Sequence, residues 1–282
     1  MMREGIVFAS YGTLVDEARR TDTAPVAEAL ADAFAGLPFA EAYTSAWVRE
    51  HLAKRGIAST SLGETLASLA DEGVTRAIVQ PGLIVCGDAW DKLAAEAQAL
   101  AERFPDGLLL GRPLLADWRD QMEVASVLAE ALPPVPGHAF VLVGHGTKGV
   151  ADAAYAGVVE ALHAAGRTDF ALGLMEGTPD ADEVAKKLVR NGTHSATIVP
   201  LMLTAGSHVR RQLAGEGAAS WTSRLNAAGI ATDCTLAGLG SLPGVSAIFV
   251  RHAREAEAIR GDRQPASSLI PISTEKRAFH AE

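Results

Sequence analysis

The chain has 282 residues, 48% of them apolar and 5% aromatic, enough for one large core or two domains of about 120–140 residues each. Its net charge of −9 excludes the basic surface that nucleic-acid binding requires and suits a cationic ligand such as a metal ion. The two cysteines, Cys86 and Cys234, form no CxxC pair, which argues against a disulfide framework, a zinc ribbon or an iron–sulfur site.

In chain order, residues 1–5 run straight into a predicted strand at 6–9. No apolar segment with a cleavage site precedes it, and no run approaches the ~20 residues of a membrane span. The cytoplasm is the expected location, with no membrane partner. A helix carrying apolar Val26, Leu30, Ala33 and Phe34 follows. A strand at 77–79 leads to a helix with Trp90, Leu93, Ala94, Ala97, Leu100, Ala101 and Phe104 on one face, close to the 3.6-residue period. Pro133-Pro134-Val135-Pro136-Gly137 reads as a linker, because its proline density disfavours helix. Beyond it come a strand at 140–143, a helix opened by Thr178-Pro179 and closed by Gly192, and a strand at 197–203. Residues 261–282 lack periodicity and are polar, the pattern of a mobile tail. Strands alternating with helices imply βαβ units: an α/β fold of two similar flavodoxin-like domains with parallel sheets flanked by helices. The expected division is 1–132, 137–260 and the tail.

The halves also resemble each other. Val7-Phe8-Ala9-Ser10-Tyr11-Gly12-Thr13 lies over Val141-Leu142-Val143-Gly144-His145-Gly146-Thr147. Residues 39–45 lie over 170–176, and 81–87 over 200–206. Three matches in the same order point to an internal duplication.

In parallel sheets the loops leaving the carboxyl ends of the strands share one edge, where ligands bind. His145 follows the strand at 140–143, Glu176 a second strand of that half, and His208 the strand at 197–203, so they should meet there. Two imidazoles and a carboxylate suit a borderline divalent ion: Co²⁺, Ni²⁺, Fe²⁺ or Zn²⁺. Their first-half counterparts, Tyr11, Ser45 and Ala89, form no such set. Each residue has a blander reading: His145 as a turn residue, Glu176 as a helix-start acid, His208 as a surface histidine. Ser10-Tyr11-Gly12-Thr13 offers N–H and hydroxyl groups to an anion, or is a plain turn. Arg210-Arg211 could hold carboxylate arms or lie exposed at a helix start. His51, His138, His163, His194 and His280 look bland. Arg251-His252 has the order of a phosphatase pair but falls within a helix and lacks the following glycine. No Walker A or Gly-x-Gly-x-x-Gly sequence opens a helix.

Taken together, Ser10-Tyr11-Gly12-Thr13, Ala42-Tyr43-Thr44-Ser45, Gly87-Asp88, Gly144-His145-Gly146, Glu176, Pro200-Leu201-Met202-Leu203 with Ala205-Gly206 and His208, Ser220-Trp221 and Gly238-Leu239-Gly240 resemble the anaerobic sirohydrochlorin cobaltochelatases of the class II chelatase superfamily, relatives of ferrochelatase. The resemblance covers 5–257. It implies two flavodoxin-like domains with a tetrapyrrole cleft between them, and a metal site at His145, Glu176 and His208 that is also catalytic. Ser207 and Gln212 stand where relatives often carry acids, which bears on metal preference.

The expected reaction inserts Co²⁺ into sirohydrochlorin and releases two protons, as in the anaerobic route to cobalamin. The metal is a substrate, and no permanent cofactor is needed. Histidine accepts protons near neutrality, so His145 and His208 are expected to bind the metal, with Glu176 as third ligand and proton acceptor. Ser10, Thr13, Thr44, Ser45, Asp88 and Arg210 are the expected substrate-binding residues. An iron or nickel chelatase for the same tetrapyrrole, or a non-catalytic tetrapyrrole or metal carrier, remains an alternative. The composition fixes no oligomeric state and is compatible with a homo-oligomer.

Overall fold

A computed structural model of the chain describes residues 2–147 and 149–259. The tail expected at 261–282 lies outside the described residues. The first half runs β1 (Glu4–Ser10), a short α1 (Asp16–Ala18), one π-helical turn (Arg19–Thr23), α2 (Ala24–Ala33), β2 (Phe39–Tyr43), α3 (Ala46–Lys54), α4 (Leu62–Asp71), β3 (Arg76–Gly82), α5 (Asp88–Gln98), β4 (Gly107–Leu110) and α6 (Trp118–Ala131). The second runs β5 (His138–Gly144), α7 (Ala153–Ala164), β6 (Phe170–Leu174), α8 (Ala181–Arg190), β7 (Ser195–Pro200), α9 (Ser207–Ala214), α10 (Trp221–Ala227), β8 (Ala231–Cys234), α11 (Val245–Arg254) and β9 (Glu257–Ala258).

The strands β1 and β5 are buried on both faces from their second residue onward. Parallel sheets covered by helices demand this, and it explains their unbroken apolar runs. The first sheet has the order β2-β1-β3-β4-β9 and the second β6-β5-β7-β8; all neighbours are parallel except the short edge strand β9, and the four parallel strands of the first correspond to those of the second. Their registers are equivalent as well. Ile6 pairs with Phe39 as Phe140 pairs with Phe170. Ala9 pairs with Pro81 as Val143 pairs with Pro200. These are the pairings that the three sequence matches require, so the repeat is present in the backbone itself.

The halves share a core. Phe8, Leu30, Leu114 and Leu128 of the first half form one apolar cluster with Leu142, Val158, Leu162 and Phe249 of the second. Helices α2, α6, α7 and α11 therefore lie between the sheets. The outer layers are separate: α4 and α5 cover the first sheet and α8, α9 and α10 the second.

Three sequence expectations change. The third strand of the second half ends at Pro200, not 203, because the chain turns into the buried segment 201–203. Helix α8 is opened by Asp180 rather than Thr178-Pro179: its carboxylate accepts from the Glu183 N–H, and Glu183 returns a bond to the Asp180 N–H, a reciprocal cap. The cis peptide Thr178-Pro179 lies in the preceding loop. Residues assigned to a second half at 137–260 also return to the first. Helix α11 packs on α2, and β9 pairs antiparallel with β4. Among the described residues no helix is long and apolar enough to cross a membrane.

Candidate active site at the facing strand ends

His145 is the first residue beyond β5. Its carbonyl accepts a 2.8 Å bond from the Glu176 N–H, and the Gly144 carbonyl accepts one of 2.9 Å from Met175. The first half repeats this ladder, with Ser45 N–H to the Tyr11 carbonyl at 3.4 Å and Thr44 N–H to Ser10 at 2.8 Å. The backbone therefore keeps Glu176 beside His145, as it keeps Ser45 beside Tyr11. Gly146 makes this approach feasible. It has φ +86°, and a Cβ there would collide with the Glu176 carbonyl. Asp152 closes the turn: one carboxyl oxygen accepts from the Thr147 N–H at 2.7 Å and the Thr147 hydroxyl at 2.9 Å.

His208 is the second residue of α9, whose N-cap is Gly206. The rings of His145 and His208 lie 6.3 Å apart, centroid to centroid, tilted by 38°. A ring nitrogen about 2.0–2.1 Å from a Zn²⁺-like ion puts the ring centroid roughly 3.2 Å from it. At a tetrahedral angle this would put the two centroids about 5.2 Å apart, so at 6.3 Å the rings are neighbours that have not closed on a shared ion. Nδ1 of His145 is 3.1 Å from the Gly146 carbonyl; donating there directs the unprotonated Nε2 outward. His145, Glu176 and His208 are all exposed. Among the described residues, no three His, Cys, Asp or Glu side chains stand close enough together to hold a metal ion. The structure thus sets the two imidazoles near each other and holds the Glu176 backbone against His145, without closing a three-ligand cage.

The carboxyl edges of the sheets meet in a pseudo-symmetric way. The Thr147 side chain sits 2.9 Å from where a Cβ on Gly87 would be, and Thr13 Oγ1 sits 3.2 Å from the equivalent point on Gly206. Thr13 matches Thr147 and Gly87 matches Gly206 in the repeat. Nearby Cys86 is pushed up to about 11, by burial and then by Asp91. Burial of this kind keeps a thiol protonated near neutral pH.

Three of the six residues expected to bind substrate have side chains bonded within the fold. Ser45 is the N-cap of α3, and its hydroxyl accepts from the Val48 N–H at 3.3 Å. Thr13 is buried against Gly206, and its oxygen accepts from the Val15 N–H at 3.2 Å. Ser10 is buried, without a partner for its hydroxyl. Arg210 donates to the Ala205 carbonyl at 2.9 Å, Glu17 at 3.0 Å and the Leu236 carbonyl at 3.1 Å, so its guanidinium braces the halves. Thr44 is half-buried, and Asp88 is exposed at the first position of α5. Two features escaped the sequence reading. Tyr11, the counterpart of His145, is 61% exposed. Asp152 locks the His145 turn; an acid five residues after Thr147 carries no motif that would have revealed it.

Three further histidines are bonded within the fold. His138 bonds Ser195 and Thr197, and His163 bonds the Phe170 carbonyl. His252 is fully buried, with Nε2 2.9 Å from Asp120.

Two repeated α/β halves with strand ends facing each other are the architecture of the chelatases. The solved structure of SirB from Bacillus subtilis with Fe³⁺ superposes with a TM-score of 0.65, over 90% of this chain and 95% of that one, at 18% identity. The chain belongs to the cobalt chelatase (CbiK) family, whose sequence profile matches residues 4–258. It is 30% identical over 257 residues to the sirohydrochlorin cobaltochelatase of Salmonella typhimurium, covering 90% of this chain and 97% of that protein. It is also 30% identical over 270 residues to sirohydrochlorin cobaltochelatase CbiKC of Nitratidesulfovibrio vulgaris, covering 93% of each. The chain is therefore a metal chelatase.

Proposed function

We propose that this chain inserts Co²⁺ into sirohydrochlorin in the cytoplasm, with His145 and His208 binding the incoming ion and Glu176 acting as third ligand and proton acceptor. The carrying observation is the 6.3 Å pairing of the two imidazoles, on turns whose backbone brings Glu176 alongside. The macrocycle supplies the remaining ligands. Two N–H bonds break as four metal–nitrogen bonds form, two to the deprotonated nitrogens and two to imine-type lone pairs, and the two protons pass through Glu176 to solvent, so charge and atoms balance. An open site suits this, because the metal must arrive, shed water and depart with the product. The first half grips the tetrapyrrole. Tyr11 presents a ring where the second half presents an imidazole, so it can face the macrocycle without competing for the ion. Cobalt is favoured over iron or nickel by the family and by both named relatives.

His145→Ala should cut insertion by about a hundredfold or more, in the range of a lost acid–base or ligand group, while sirohydrochlorin binding changes little. Glu176→Gln keeps the shape and should also lose most of the rate. Stopped-flow absorbance reads insertion, and fluorescence quenching reads tetrapyrrole binding. Near-wild-type turnover in His145→Ala would make His145 a turn residue only.

A further inference from the structure

Asp22 lies in the π-helical turn between α1 and α2, far in sequence from His145, Glu176 and His208. It is fully buried. Its Oδ2 accepts the N–H of Ala205 at 2.9 Å and that of Gly238 at 3.0 Å; its Oδ1 accepts the Thr21 hydroxyl at 2.7 Å. Ala205 lies in the loop that leads into α9, three residues before His208. Gly238 lies in the loop after β8. These loops are tied to each other by Leu239 N–H to the Met202 carbonyl at 2.8 Å and Gly240 N–H to Leu203 at 3.1 Å. The fit is tight, since a Cβ on Gly240 would collide with the Asp22 carbonyl. Beside it, the Thr23 and Thr204 hydroxyls meet at 3.2 Å.

Ala205 is held at both of its backbone groups. Asp22 accepts its N–H, and Arg210, itself paired with Glu17, donates to its carbonyl. Both anchors tie the loop to the segment containing α1 and the π turn, which belongs to the first half. A buried carboxyl group that loses its donors, or buried amides that lose their acceptor, carry the full desolvation penalty, so this arrangement tolerates little displacement. We propose that Asp22 is a positioning residue for His208: it keys the first half into the β7–α9 loop, so that the His208 ring stands opposite His145. This rests on the reading of His208 as a metal ligand.

The test compares three variants by their steady-state constants for Co²⁺ and by fluorescence titration with sirohydrochlorin. Misplacing a reacting group by about 1 Å can cost up to a hundredfold, so Asp22→Ala should raise the Co²⁺ KM or lower kcat by about ten- to a hundredfold. Its sirohydrochlorin Kd should stay near the wild-type value. Asp22→Asn keeps an acceptor oxygen for both amides and should restore most of the rate. His208→Ala is the reference and should show the same metal-selective defect. If Asp22→Ala does not fold by circular dichroism, the double variant Thr23→Val with Thr204→Val loosens the same loop and should show the defect in weaker form. Wild-type metal constants in Asp22→Ala, or in the double variant replacing it, would overturn the proposal. So would an Asp22→Asn protein as impaired as Asp22→Ala, or a defect confined to sirohydrochlorin binding. Unchanged metal use in His208→Ala would instead overturn the underlying reading, and this proposal with it.

Discussion

Asp120 is fully buried, and burial alone would raise its carboxyl pKa; the His252 hydrogen bond and charge, then the Arg251 bond, hold it below its ordinary value of 3.8. The Arg251 guanidinium bridges Asp120 and Glu123 at 2.7 Å each. Arg251-His252 is thus a structural clasp between α11 and α6, as its place within a helix and the absent glycine indicated. A depressed folded pKa means that the carboxylate stabilises the fold fully above its unfolded value. That contribution is lost as pH falls through the folded one. Urea midpoints measured between pH 6 and pH 3 (about the range bracketing the ordinary carboxylate value) should therefore fall on acidification. Asp120→Asn should be less stable at pH 6 and show a flatter profile; an unchanged slope would contradict this. At this scale the sequence placed His145 and His208 in glycine-bearing turns at strand ends, and the structure brings their rings to 6.3 Å. The partners of Ser45, Thr13 and Arg210 were not legible. A hydroxyl at a strand end serves equally as a cap or a ligand, and only the neighbouring N–H groups decide which.

The elements follow from their own patterns. The strand interiors were readable because burial on both faces requires continuous apolar residues, and α5 because its apolar spacing is helical. The start of α8 was misplaced because a proline is only one of two helix-opening signals, and the Asp180–Glu183 pair outweighs it. The return of α11 and β9 to the first half was hidden. An amphipathic helix announces that it has a buried face, but not which sheet will cover it. The turn after β5 gives a prediction at this scale. Gly146→Ala must place a side chain at positive φ, at about 1–2 kcal/mol, and must also push the Glu176 carbonyl away. Insertion should therefore fall much further than thermal stability, as measured by the insertion rate and by Tm. A variant with full activity would mean that the His145 and Glu176 loops need not touch.

On the scale of the whole molecule, a repeat has diverged into unequal halves. The shared strand order, the matched registers and the paired Thr13–Gly206 and Thr147–Gly87 contacts set the two sheet edges against each other. Where one edge offers His145, Glu176 and His208, the other offers Tyr11, Ser45 and Ala89. That asymmetry was visible in the sequence because the repeat aligns position by position. The shared core was not, since a linker rich in proline reads as a boundary whether or not the flanking halves pack together. The proposed reading gives metal and tetrapyrrole to different halves of one catalyst, and turnover tests that proposal most directly. Purified protein should be mixed with excess sirohydrochlorin under anaerobic conditions, and metal insertion followed by absorbance with Co²⁺, Fe²⁺ and Ni²⁺ in turn. The account predicts many equivalents of cobalt product per chain, fastest with Co²⁺, and two protons released for each ion inserted. Stoichiometric binding of sirohydrochlorin with no acceleration of insertion would contradict it.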